Sequence, residues 1–238
     1  GTELDLGREL RPDLRVAKIV VAVGARRGLE ALAHLASAEA VRQLLHARCV
    51  TLLPTARSPL KPEVTANHHR LAMLRAALMD YPAFAIDERE LRRPPPSYTV
   101  DTLRELRLEL GSELPLVWVI GADTLCGLAQ WKDWQALTQL AHLLVIERPG
   151  YCTPSTTAVD AWLRTQTLAA NSDQLQCQAS GLWLRIALPP QPFSSTAIRQ
   201  QLAQRSSTTP KPEGLPTPVW QYIVDHQLYA SDESTDNP

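Results

Sequence analysis

The stretch Val16–Ala40, "VAKIVVAVGARRGLEALAHLASAEA", decides how the rest of the chain is read. Its first half is an apolar, valine-rich run with the character of a buried strand. From about Leu29 the leucines and alanines recur at three and four, the spacing of a helix. Gly24 lies between the two. A strand that breaks at a glycine and opens a helix is where α/β folds usually cradle a phosphate, because helix-start N–H groups point outward there without partners. Arg26, Arg27 and a lone His34 stand in that region.

The same alternation continues downstream. Strand-like runs recur as "CVTLLP", "FAIDE", "LPLVWVIG", "HLLVIERP" and "GLWLRIAL". Helical periodicity fills several intervals, in "ALAHLASAEAVRQLLHA", "HHRLAMLRAALMD" and "SYTVDTLRELRLELG", the last opening on Ser/Thr and stopping at Gly111. Strands apolar on both faces and joined by helices predict an α/β protein with a doubly wound parallel sheet, whose ligands gather at the carboxyl ends of the strands. Residues from about 150 to 181 are rich in Thr, Ala, Gln and Ser. Trp162 and Leu163 are the strong apolar anchors there, which predicts a solvated helical excursion. "QRSSTTPKPEGLPTP" reads as a loop, "VWQYIVDHQLY" as a short amphipathic helix, and residues 230–238 as a disordered tail.

Composition narrows the function classes. The 238 residues hold 24 Lys+Arg against 25 Asp+Glu, a net charge of -1, so no overall positive field exists to hold a nucleic acid or an anionic membrane. Cys49, Cys126, Cys152 and Cys177 are far apart and show neither zinc-knuckle nor disulfide spacing. With no apolar run near eighteen residues and a charged amino-terminal segment, the expectation is a soluble, cytoplasmic protein.

Five further segments carry candidate chemistry. In "FSSTAIR", Ser194, Ser195 and Thr196 precede an amphipathic helix with Arg199 one turn in. This is either a plain N-cap or an anion site made of helix-start amides, hydroxyls and a guanidinium. In "VWVIGADTL" a buried strand ends at Gly121, and Asp123 is either a helix cap or a carboxylate at the rim of the sheet. Trp131, in "AQWKDW", is either a core aromatic or a platform for a flat heterocycle. Tyr98 and Thr99 follow three stiffening prolines at a helix start, and Lys61 in "ARSPLKP" offers a point charge from a loop.

Taken in order, "LLPTARSPLKP", "IDERELRRPPPSYTVDTL", "VIGADTLCGLAQWKDW", "HLLVIERPGY" and "PFSSTAIRQQL", with "VWQYIVDHQLY" behind them, resemble the bacterial nicotinate-nucleotide adenylyltransferases of the nucleotidyltransferase superfamily. The resemblance covers roughly residues 34 to 229. It implies a Rossmann-like nucleotidyltransferase domain over residues 16–229 with a C-terminal helical part, behind an unmatched segment at residues 1–15. The activity it implies is transfer of AMP from ATP to nicotinate mononucleotide, with Mg²⁺ accompanying ATP, no protein metal cluster, no nucleic-acid or membrane partner, and a monomer or small homo-oligomer. By the same resemblance Gly24, His34, Gly121, Asp123, Ser194, Ser195, Thr196 and Arg199 would contact ATP. Tyr98, Thr99, Trp131 and Lys132 would contact the mononucleotide, with the turn at Tyr98–Thr99 presenting backbone N–H groups to the nicotinate carboxylate. His34 and Lys61 would serve catalysis.

The match departs from the family pattern in three places. Lys132 stands where an aromatic residue is often found. Ser58 and Leu60 replace the first proline and the histidine of a Pro-Pro-His-Lys loop. The family's G-G-T-F-D-P-x-H-x-G-H motif aligns onto Gly24–His34 without a gap, and only Gly24 and His34 survive. Ala31 replaces the first histidine and Ala33 the last glycine. Losing one preorganised donor costs on the order of 3–4 kcal/mol of barrier, so impaired turnover is expected. A non-catalytic nucleotide binder of the same fold, or an adenylyltransferase for another phosphate acceptor, remains the alternative.

Overall fold

The computed structural model describes residues 20–25, 28–55, 66–147, 157–189, 195–205 and 209–229, with the backbone alone at 20–25, 28–34, 195, 196 and 199. Among these residues seven strands form one parallel sheet in the order β3-β2-β1-β4-β5-β7-β6. They are β1 (Val20–Ala25), β2 (Val50–Pro54), β3 (Phe84–Ile86), β4 (Leu116–Gly121), β5 (His142–Glu147), β6 (Thr167–Leu168) and β7 (Leu182–Ala187). The chain winds outward from β1 to β3, returns to the centre at β4, and winds out the other way. This is the doubly wound pattern, and its strand order reverses between β1 and β4.

Helices cover both faces of the sheet. One face carries α1 (Gly28–Leu44), α2 (Asn67–Ala77), α8 (Ser195–Ala203) and α9 (Thr217–Asp225). The other carries α4 (Thr99–Leu110), α5 (Ala122–Leu125), α6 (Leu137–Leu140) and α7 (Ala158–Thr165), and α3 (Arg89–Arg92) packs beside β2. The alternation of side chains along β4 shows how the layers form: Val117 and Val119 join the first core with Leu52 and Leu144, while Leu116, Trp118 and Ile120 join the second with Leu53 and Val145. A strand must be apolar at every position for that, as the run "LVWVI" is. On α1, Leu35, Ala38 and Val41 fall on one stripe and are all buried, and Leu45, just past its end, continues the stripe.

Several expectations need correction. Gly24 does not break the first strand: β1 begins at Val20 and runs on through Ala25, because its ladder with β2 continues as Gly24 opposite Leu53 and Ala25 opposite Pro54. Among the described residues of the region from 150 to 181, the α-helix is α7. The region then adds the edge strand β6 and a 3₁₀ turn at Ser172–Gln176, so Val159, Ala169 and Leu175 anchor it as well as Trp162 and Leu163. The helix cap at α7 is a reciprocal one, Thr157 Oγ1 accepting from the Asp160 N–H at 3.2 Å while Asp160 Oδ2 accepts from the Thr157 N–H at 3.2 Å. Lys61, Ser194, and the segments 1–15 and 230–238 lie outside the described residues.

Two polar side chains pin the amino-terminal edge of the sheet. His142 is fully buried at the start of β5. Its Nδ1 accepts from the Leu182 N–H at 3.1 Å, and its Nε2 donates to the Gln178 carbonyl at 2.8 Å. Arg107, near the end of α4, donates to the carbonyls of Leu140 (2.6 and 3.1 Å), Leu114 (2.8 Å), Gly111 (3.0 Å) and Ala179 (3.0 Å). Burial lowers the pKa of both groups, and for His142 the nearby Arg107 charge adds to the effect.

Candidate active site at the carboxyl rim

The carboxyl ends of β1 and β4 form the switch point of the sheet. The two strands pair as far as Val23 opposite Val119, and beyond that pair Gly24 and Gly121 carry them to the rim. Each then feeds a helix. Gly121, extended at φ -80° and ψ 153°, is the N-cap of α5 and, being glycine, has no side chain to cap it. Asp123 therefore does not cap this helix, as one sequence reading allowed. It sits half-buried in the first turn, where an acidic side chain suits the positive end of the helix dipole.

His34 lies on α1, which leaves β1 at this rim, and Ser195, Thr196 and Arg199 lie on α8. α8 packs against α1 and buries Ile198 and Leu202 in the same core as Leu35 and Ala38. The topology therefore sets the helix that starts with Ser195 beside the helix that holds His34.

A second group assembles around the start of α4. Tyr98 is the N-cap, with φ -118° and ψ 138°, and no side chain caps this end. The expected Ser/Thr cap is absent because Ser97 Oγ is turned to Arg93 Nη1 at 3.0 Å. The first N–H groups of any helix lack intrahelical acceptors, and among the described residues no side chain takes their place here. The turn after Gln130 approaches α4 from the side. Trp131 is half-buried and packs against the second core. Lys132 Nζ lies 5.0 Å from the Tyr98 ring centroid and bonds both Asp101 carboxylate oxygens at 3.1 and 2.9 Å. Arg104 extends this chain of charges, reaching Asp101 at 3.2 Å and Asp133 at 2.9 Å. Partial burial pushes the Asp101 carboxyl up, but Lys132 and Arg104 outweigh it and hold the group below its ordinary range. Tyr98, Thr99, Trp131 and Lys132 are thus brought together, with Trp131 both a core contact and a rim aromatic.

Beneath this turn lies a buried polar network that sequence reasoning missed. Thr102 Oγ1 donates to Glu90 Oε1 at 2.7 Å, and Arg93 Nη1 donates to Thr102 Oγ1 at 3.3 Å while also holding Ser97. Glu90 is 2% exposed and Thr102 is 0% exposed. Arg93 also pairs with Glu105 at 2.7 Å. The network braces the segment from Arg93 to Thr102, and with it the Tyr98–Thr99 turn. Its only signal in the sequence was that these residues fall inside the segment "ERELRRPPPSYTVDT".

Chemically, the rim offers helix-start amides, a carboxylate at Asp123 and an indole, a set suited to phosphates, a metal-bound nucleotide and a flat ring. Among the described residues no three His, Cys, Asp or Glu side chains converge as a metal cage, and no helix is long and apolar enough to cross a membrane.

A cytidylyltransferase-like family model matches residues 31–201. The protein of Stenotrophomonas maltophilia named "Probable nicotinate-nucleotide adenylyltransferase" is 42% identical over 210 residues, covering 84% of this chain and 91% of its own length. A protein of the same name from Cellvibrio japonicus is 40% identical, with 83% and 92% covered. Among solved structures, the nicotinic acid mononucleotide adenylyltransferase of Plasmodium falciparum complexed with NaAD superposes with a TM-score of 0.63 at 16% identity, over 89% of this chain and 97% of that one. That likeness independently supports the fold. With strand order, rim and family match in agreement, the chain belongs to the cytidylyltransferase-like family, among its nicotinate-nucleotide adenylyltransferases.

Proposed function

We propose that this protein transfers AMP from ATP to nicotinate mononucleotide, forming nicotinate adenine dinucleotide and pyrophosphate in the cytoplasm. The observation that carries the proposal is the uncapped start of α4 beside Trp131, on a chain that is 42% identical to a protein carrying that enzyme's name. The mononucleotide's phosphate oxygen attacks the α-phosphorus of ATP. A new P–O bond forms, the bond to the bridging oxygen of the β-phosphate breaks, and pyrophosphate leaves with the electron pair. No covalent enzyme intermediate is needed, so the protein's task is to position two nucleotides and place donors where charge develops.

In this proposal ATP lies at the switch point, near Gly24, Gly121 and Asp123, with its phosphates toward His34, Lys61 and the Ser194–Arg199 segment. The pyridine ring stacks on Trp131, and its carboxylate takes the amides at Tyr98–Thr99. A Mg²⁺ ion held chiefly by ATP phosphates and water suits a switch point where Asp123 supplies a carboxylate and where, among the described residues, no three ligating side chains converge. It would share the charge that develops on the transferring phosphoryl group.

The altered motif bears on rate. Ala31 and Ala33 both lie within α1, where the family pattern has a histidine and a glycine. Pyrophosphate release from ATP plus nicotinate mononucleotide tests the proposal. Binding of both nucleotides without release would favour the non-catalytic reading, and release only with another phosphate acceptor would overturn the substrate. Restoring the motif as Ala31→His with Ala33→Gly should raise the rate at least about tenfold. An unchanged rate would show that the loop is not what limits turnover.

A further inference from the structure

The start of α4 and the start of α7 share one spacing and differ in outcome. Each helix has aspartate three residues after the N-cap, Asp160 after Thr157 and Asp101 after Tyr98. At α7 the aspartate folds back and takes the N-cap N–H, the ordinary behaviour of an acid at this position. At α4 it does not. Asp101 is turned sideways to Lys132, which bonds both of its oxygens, and to Arg104. The Lys132 ammonium also rests against the ring of Tyr98, so one cation touches the N-cap residue and the acid that would otherwise cap it.

We propose that Lys132 is a specificity-determining residue: by holding Asp101 away from the start of α4, it leaves the Tyr98–Thr99 amides open to the carboxylate of an acidic pyridine nucleotide. The inference rests on the substrate reading above and deepens it. Two physical effects act together. An aspartate folded onto the N-cap would occupy the donors that the substrate carboxylate needs. Its negative charge, less than one turn away, would repel that carboxylate unless a cation offset it. The amide form of the nucleotide carries no charge at this position and feels neither effect strongly. Arg104 alone does not replace Lys132, because it divides its guanidinium between Asp101 and Asp133.

The test compares Lys132→Met, which keeps the length of the stem, with the double variant Lys132→Met/Asp101→Asn. Calorimetry on the whole protein measures affinity for nicotinate mononucleotide, nicotinamide mononucleotide and ATP. The expected result is about a tenfold loss for the nicotinate form in Lys132→Met, with the other two ligands within about twofold of wild type. The double variant should recover most of the loss, since an asparagine at 101 carries no charge. Equal losses for both mononucleotides, or no recovery in the double variant, would overturn the inference. A readout without substrate separates the two claims. In Lys132→Met the amide resonances of Tyr98 and Thr99 should move as Asp101 titrates in mild acid, and in wild type they should stay still. Unmoved amides in the variant would overturn the diversion of Asp101. Moving amides together with no binding of nicotinate mononucleotide to wild type would overturn the substrate reading, and the specificity role with it.

Discussion

Replacing His142 with phenylalanine isolates what one buried imidazole does for the sheet. Phenylalanine keeps the ring and removes both nitrogens, so the packing at the start of β5 is retained. Two hydrogen bonds are lost: the Leu182 N–H loses its acceptor at 3.1 Å, and the Gln178 carbonyl loses its donor at 2.8 Å. The first group is buried and costs about 1–3 kcal/mol when orphaned. The second belongs to an exposed residue, can turn to water and costs less, for a total of about 2–4 kcal/mol. The pH dependence is the sharper test. Burial lowers the pKa of His142, reinforced by the Arg107 charge and opposed by the hydrogen bond to the Gln178 carbonyl, so the folded state resists a proton that the unfolded chain accepts below about pH 6.5. More protons bind to the unfolded state there, so wild-type stability falls as pH drops, by up to about 1.4 kcal/mol per unit from this group. Phenylalanine lacks that loss, and the gap between the two proteins should narrow by up to about 1.4 kcal/mol in all between pH 7.5 and 5.5, most of it below about pH 6.5. Urea unfolding at several pH values measures it. A gap that stays constant across that range would refute a neutral, doubly bonded His142.

Two further substitutions probe the other polar anchors. Arg107→Lys keeps the charge but not the planar fork that reaches four carbonyls, so it should destabilise by about 2–3 kcal/mol in chemical denaturation. A loss below about 0.5 kcal/mol would show that the fork contributes little. Thr102→Val is nearly isosteric and removes the hydroxyl that bonds Glu90, at a cost of about 1–3 kcal/mol. Because the network braces the Tyr98–Thr99 turn, steady-state kinetics should also show KM for the mononucleotide rising while that for ATP holds. Equal changes in both would limit Thr102 to stability.

The elements readable from the sequence were those whose own residues specify them. β4 and β5 are apolar at successive positions because both faces of the central sheet are covered, and α1 and α4 show their buried stripes in the spacing of leucines. β6 was not readable: it is two exposed residues whose strand character comes wholly from pairing with β7. The cap at α4 misled because Ser97 was already committed to Arg93, a partner chosen by the fold. Glu90 stands in "DERELRR", where nothing local distinguishes it from the less buried Glu88 two residues earlier. Of the site, Tyr98, Thr99, Trp131 and Lys132 were named through the family resemblance and are brought together. The sideways turn of Asp101 toward Lys132 spans 31 positions and no spacing rule foretells it. His34 lies on α1 and Ser195, Thr196 and Arg199 lie on α8, the helix packed beside it.

The anchors of this sheet and its chemistry sit at opposite ends of the strands. Arg107 and His142 clamp the edge where β4, β5 and β7 begin, whereas both nucleotides are proposed to bind where strands finish. A lineage can therefore lose turnover without losing shape. Alanine at 31 and 33 is the residue a helix tolerates best, so no folding penalty resists such a change in α1. Foldedness in this chain is thus no guarantee of throughput, and selection on the two can come apart.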